Sequence, residues 1–346
     1  MSKENKLIDL FKLFFSLCVV AIHTQLLGGV KYGYLLKCNI YRIAVPFFFI
    51  CSGYYLSIKM INDNYDPKLY VKKFAKLYLF WCILYTIMYN FMQVPTFNLL
   101  SFFNDLRNVF YFRSTTIMWY LGVIVLFGIL ITHIKKKRNL NIIFIISIAC
   151  YLLGLYFVTY RYLFENTSLK IGIDFLLQYY PHNRYFIFTF MFPLLGFLIG
   201  KYNIIKKISM SKSLILLIIS QLLLLYETFK YYDKTNIYGE YDYFLMTPLV
   251  AFFLFIFLNK IKIKFPFSTK RIRKISTQIF YYHYIFIFTY SFFNRKYHNY
   301  LFDLFDAHTS LYFLLILFCT ILFIIILNLI MKIILRLKNK KLEFNF

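Results

Sequence analysis

Apolar residues run through this chain in blocks of about twenty, the length at which an α-helix crosses the hydrocarbon core of a bilayer. The pattern predicts spans near 8–28, 40–60, 74–95, 115–133, 141–160, 184–201, 212–232, 241–259, 275–294 and 309–333. The piece LLSFFNDLRNVFYF, residues 99–112, is too short and too polar to cross and is expected to be interfacial or re-entrant. The predicted fold class is all-α, a polytopic membrane helical bundle of about ten transmembrane helices. No connection exceeds about 25 residues, which leaves no room for an extramembrane domain, so residues 1–346 are expected to form one transmembrane domain.

Lys and Arg orient the bundle, because cytoplasmic segments carry the excess. With the N-terminus inside, 28 of the 40 basic residues fall on inner segments and 12 on outer ones. Both termini are thus expected in the cytoplasm. Lys3 and Lys6 precede the first apolar run as in a signal peptide. Asp9, Lys12 and His23 interrupt that run, however, and no small-residue cleavage site follows, so it is expected to stay as the first span.

Composition supports the pattern: 61% of residues are hydrophobic, 16% charged, and the mean hydropathy is +0.63. A net charge of +26 could suit nucleic acid, but the basic residues lie between apolar runs rather than on a folded patch, so no nucleic-acid partner is expected. The six cysteines have no C-x-x-C spacing and no His cluster beside them, which argues against a disulfide framework and a metal site. P-loop, nucleotide-binding G-x-G-x-x-G, G-x-S-x-G and H-E-x-x-H motifs are missing, as is the internal repeat of inverted-repeat transporters.

Candidate chemistry begins with Lys12 and His23, eleven residues apart in the first span. Eleven helical residues make three turns plus about 20°, so both side chains share one stripe, separated by roughly 16 Å. Ionisable groups at membrane depth mark a substrate path, a relay or a catalytic centre. Lys12 can hold a phosphorylated ligand and His23 can act as general base. Equally, Lys12 can snorkel to the headgroups while His23 bonds a neighbouring helix. In the second span, YRIAVPFFFICSGYYL, Arg42 precedes the apolar run, Pro46 could open the helix, and Ser52-Gly53 could either line a cavity or serve helix packing. Lys72, Lys73 and Lys76 lead into the third span, as donor-phosphate ligands or as a positive-inside signal. His283 is a second deep imidazole, His182 and Arg184 sit at the outer mouth, and Trp119 reads as packing or interface anchor. His133, His298 and His308 carry no assignment.

Taken in order, Lys12 with His23, RIAVPFFFICSGYYL, the run at Lys72, Lys73 and Lys76, MWYLG, HNRYFIFTFMFPLLGFLIG and STQIFYYH resemble membrane acyltransferase family 3, the integral membrane O-acyltransferases of bacterial surface glycans. The resemblance covers nearly the whole chain. It implies a multi-pass enzyme of the bacterial cytoplasmic membrane that takes an acyl group, usually acetyl from acetyl-CoA, and delivers it to a hydroxyl of a surface polysaccharide or its lipid-linked precursor. His23 would be the essential histidine and Lys12 its motif partner. The donor's phosphates would sit near Lys12, Lys72, Lys73 and Lys76, and Arg42, Ser52, Arg184 and His283 are the candidate acceptor-binding residues. Lys12 stands where arginine is common, and no glutamate follows MWYLG. Some relatives carry a C-terminal esterase-like or racemase domain. This chain ends after KNKKLEFNF, so a second transfer step is expected to need a separate envelope acyltransferase partner. The rival reading is a transporter or flippase of a lipid-linked sugar.

Overall fold

The computed structural model describes residues 5–92, 99–110, 118–134, 137–160, 163, 167–168, 171–172, 188–235, 244–263, 266, 268–298 and 300–343. Among these residues all regular structure is helical. Helix α1 (Lys6–His23) starts where the Asn5 side chain accepts the N–H groups of Leu7 and Ile8 at 3.1 and 3.2 Å, satisfying two donors that a helix start leaves open. It ends earlier than the apolar run suggests. Thr24 turns its hydroxyl back onto the Val20 carbonyl, and Gln25, Leu27 and Gly29 adopt positive φ of 51°, 58° and 83°. The run after His23 is therefore a tight turn rather than the last turn of a helix.

Three helical pieces follow: α2 (Lys31–Asn39), a 3₁₀ turn (Tyr41–Ile43) and α3 (Ala44–Asn62). The stretch expected to be an outer connection is thus mostly helix. Pro46 lies in the first turn of α3, where its missing N–H is no loss, so it starts the helix rather than opening it. Next come α4 (Pro67–Met92), α5 (Leu99–Phe110), α6 (Trp119–His133) and α7 (Lys137–Gly154). The remainder comprises α8 (Met191–Lys201), α9 (Ile204–Lys207), α10 (Met210–Thr235), α11 (Thr247–Lys260), α12 (Lys270–Tyr297), α13 (Tyr300–Ala307) and α14 (Thr309–Glu343).

Each of the ten apolar windows carries a helix among the described residues. Four stretches are long and apolar enough to cross a membrane by length and composition: Lys31–Asn62, Pro67–Met92, Met210–Tyr232 and Thr309–Leu335. The leucine- and isoleucine-rich faces of α10 and α14 point outward, with Leu222 at 60% and Phe318 at 64% exposure, as hydrocarbon contact requires.

Contacts fix the helix directions. Asp9 meets Thr269, Lys12 meets Ser276 and His23 meets His283, so α1 and α12 run parallel. Trp81 stacks on Tyr281 and Tyr89 lies against Phe288, so α4 runs the same way. Lys12 sits over Tyr55 while Phe15 packs on Phe47, which makes α3 antiparallel to α1. Tyr290 contacts Tyr312 and Lys274 bonds Asn328, which makes α14 antiparallel to α12.

Small residues allow the closest approach. A Cβ on Gly53 would stand 1.9 Å from the Pro193 carbonyl oxygen, and one on Gly196 would stand 2.1 Å from that of Ile50. Backbones of α3 and α8 therefore touch, the packing that glycine permits between membrane helices. Helix α5 is held along α4 by Asn90 donating to Asp105 at 3.0 Å and by the Tyr78 hydroxyl donating to the Val109 carbonyl at 2.9 Å. Val109 is near its end and Tyr78 is midway along α4, so α5 runs back along the outer half of α4.

Candidate active site

The C-terminal end of α1 presents His23 to the middle of α12. Its imidazole centroid lies 5.6 Å from that of His283, with the rings inclined at 33°. Tyr284 stands edge-on to His23 at 5.2 Å and to His283 at 6.0 Å, and Tyr85 of α4 stands edge-on to Tyr284 at 6.0 Å. The result is a pair of imidazoles walled by aromatic rings.

The two histidines are held differently. His283 is fully buried and its Nδ1 bonds the Ile279 carbonyl at 2.9 Å, one turn earlier in its own helix. A carbonyl can only accept, so Nδ1 carries a proton, and in the neutral ring Nε2 then keeps its lone pair. That Nε2 is buried and meets no hydrogen-bond partner among the described residues. His23 is only half-buried. Its charged neighbours are Arg42 and Lys37. One imidazole is therefore fixed in tautomer and orientation, and the other is more open to an incoming group.

Ser52 and Tyr120 share a hydrogen bond of 3.0 Å between α3 and α6. Tyr120 packs at 4.5 Å from Phe49 and 5.5 Å from Phe280, which links this bond to the wall of α12. Gly53, beside it, is occupied by the contact with α8. Trp119 packs against Phe49 at 5.9 Å. Arg184 and His182 lie outside the described residues.

At the other end of α1, the Lys12 ammonium sits 4.6 Å from the centre of the Tyr55 ring, and the Lys12 carbonyl accepts a 2.8 Å bond from Ser276. Asp9, only 3% exposed, accepts from the Thr269 hydroxyl at 2.7 Å and lies 3.8 Å from Arg273 Nε. Lys72, Lys73 and Lys76 are exposed. They share a face of α4 with Phe80, Ile83 and Ile87, whereas Tyr78, Trp81 and Tyr85 face the bundle. Tertiary structure thus joins His23 to His283, Lys12 to Tyr55, and Asp9 to Thr269 and Arg273, while the α4 lysines point away from the bundle core.

Sequence reasoning passed over Asp9, Tyr55, Arg273 and Tyr284. Asp9 left a signal: an acid three residues before Lys12 in an apolar span needs a buried partner. Arg273 was hidden among seven basic residues between Lys260 and Lys274.

On the side of the bundle toward which α1 runs, an open cleft of about 410 Å³ separates the turn after His23 from the junction of α13 and α14. Its lining includes Leu27, Gly28, Leu304, His308, Thr309 and Ser310. The Thr309 hydroxyl accepts the Leu27 N–H at 3.1 Å and ties the two rims together.

The family model Acyl_transf_3, described as an acyltransferase domain, matches residues 5–329. The chain belongs to this family, acyltransferase family 3, and is a membrane protein with the family's acyltransferase domain. It is 28% identical over 261 residues to the serine/alanine racemase of Enterococcus gallinarum, a match covering 73% of this chain and 37% of that protein. It is also 28% identical over 264 residues to an amino-acid racemase of Enterococcus faecalis, covering 72% of this chain and 37% of that protein. The chain thus spans little more than a third of the length of these curated relatives. No solved structure matches it.

Proposed function

We propose that the protein is a membrane O-acyltransferase, in the first instance an O-acetyltransferase, which moves the acyl group of a cytoplasmic acyl-CoA onto a hydroxyl of a cell-surface polysaccharide or its lipid-linked precursor. In this reading the bundle crosses the bacterial cytoplasmic membrane ten times with both termini inside, and a separate envelope acyltransferase can act after it. The parallel α1, α4 and α12 suit that topology, since they hold the first, third and ninth windows and must cross in one direction.

The observation that carries the proposal is the meeting of His23 and His283, 5.6 Å apart, on the stripe that starts at Lys12. Lys12 anchors the donor's phosphates at the cytoplasmic end. The donor's arm spans the roughly 16 Å to His23 that eleven helical residues provide. His23 is the general base for a hydroxyl that attacks the thioester carbonyl, or it is a transient acyl carrier whose own nitrogen takes the acyl group as the C–S bond breaks and then yields it to the hydroxyl. In the first case the proton of that hydroxyl passes to His23 as the C–O bond forms, and the C–S bond breaks to release the thiol. His283 Nε2, which meets no partner among the described residues, serves as an acceptor for a substrate hydroxyl, and Ser52 and Arg42 are assigned to the acceptor.

Comparing surface glycans by mass spectrometry in cells with and without the gene tests this reading. Loss of acetyl esters on deletion, restored by the wild-type gene and not by His23→Ala, is the expected result. Unchanged acetylation together with loss of glycan export would refute it and leave the transporter reading.

A further inference from the structure

The cytoplasmic end of the α1 stripe holds a second cation, hidden in the sequence among the basic residues from Lys260 to Lys274. Ser276, three residues after Arg273 on α12, donates to the Lys12 carbonyl at 2.8 Å, so the parallel helices α1 and α12 carry Lys12 and Arg273 at the same end of the bundle. Tyr55 of α3 completes the group: Lys12 lies over its ring, and Asp9 and Arg273 are charged neighbours of its phenol. Asp9 is buried, while the Arg273 side chain is 43% exposed. A carboxylate fixed by Thr269 at 2.7 Å therefore steers a guanidinium whose outer part reaches toward solvent.

The geometry points to Arg273 as a donor-phosphate ligand, held in place by Asp9 and acting with Lys12 on the nucleotide end of a thioester donor. This rests on the acyltransferase reading and assigns it a residue that motif spacing did not reveal. The guanidinium presents a planar fork of donors that matches two phosphate oxygens at once, which an ammonium does not. Lys12 supplies a point charge and Arg273 the directional bonds. Ten helical residues separate Arg273 from His283 on α12, roughly 15 Å, comparable to the interval from Lys12 to His23 on α1. The anion site thus lies at nearly one distance from both imidazoles. Asp9 is a positioning residue here, because it touches Arg273 and not the donor.

Two donors separate phosphate binding from a structural role: acetyl-CoA, and S-acetyl-pantetheine, which keeps the thioester and the amide arm but has no phosphate. Turnover of purified protein is followed in nanodiscs with an acceptor glycan from the same cell. Arg273→Ala should raise the KM for acetyl-CoA roughly tenfold or more, the scale of losing one charge-assisted pair, with kcat nearly unchanged and no loss with S-acetyl-pantetheine. Arg273→Lys should fall between, and Asp9→Asn should shift the KM in the same direction by less. Equal loss with both donors would overturn the assignment, and it is the result expected if Arg273 instead holds a lipid headgroup or only packs the helices. Unchanged KM for acetyl-CoA in Arg273→Ala would overturn it as well. If wild-type protein turns over neither donor, it is the acyltransferase reading that fails.

Discussion

At the scale of single residues, the two imidazoles carry different constraints and should respond differently to substitution. His23→Ala should lower acetyl transfer by roughly a hundredfold or more, the usual range for a lost general base, while the protein still inserts and folds. Retained activity in that variant sinks the role given to His23. His283→Gln keeps a side-chain acceptor but cannot take a proton. If His283 only accepts a substrate hydrogen bond, this variant should keep far more activity than His283→Ala; equal loss would mean that Nε2 must change protonation. Lys12→Arg keeps the charge beside Tyr55 and should be milder than Lys12→Ala in the KM for the acyl donor. Lys12 and His23 were legible because polar groups at three-turn spacing stand out in an apolar run. Asp9 stood out in the same run, but its pairing with Arg273 did not, since a local pattern shows no partner 264 residues away.

At the scale of helices, apolar windows located the elements well and their ends poorly. Hydropathy cannot see that the run after His23 leaves the helix, because the break lies in the backbone: three residues with positive φ and a hydroxyl turned onto the preceding carbonyl. Nor could it show that residues 31–39 form a helix. That helix is held from outside, with the Asn39 amide bonded to Thr228 at 2.9 Å and Gln221 of α10 bonded to the Asn39 carbonyl at 3.2 Å. Ser52-Gly53 was readable either as cavity or as packing. The α8 backbone decides for packing at Gly53, and the bond to Tyr120 ties Ser52 to α6. Gly53→Leu should force α3 and α8 apart and destabilise the protein by about 1–3 kcal/mol or more, seen as a lower melting temperature in detergent. Ser57→Ala, one turn on and only slightly smaller, should change it little.

At the scale of the whole molecule, pairwise helix directions make a testable prediction of sidedness. With each exposed site introduced singly, Asp303→Cys should react with an impermeant maleimide in intact cells, and Lys206→Cys only after permeabilisation; the reverse labelling would invert the proposed topology. The sequence by itself determined that the chain is built of apolar helices joined by basic segments, and that one helix bears a cation and an imidazole on a common stripe. These follow from hydropathy, charge placement and the fixed pitch of the α-helix, all local properties. Only the tertiary structure decided what that stripe faces: His283 and Tyr284 at one end, Asp9, Tyr55 and Arg273 at the other. Which helices lie parallel and touching depends on the packing of side chains hundreds of residues apart, where glycines permit contact and bulky rings forbid it, and a period of 3.6 residues records neither.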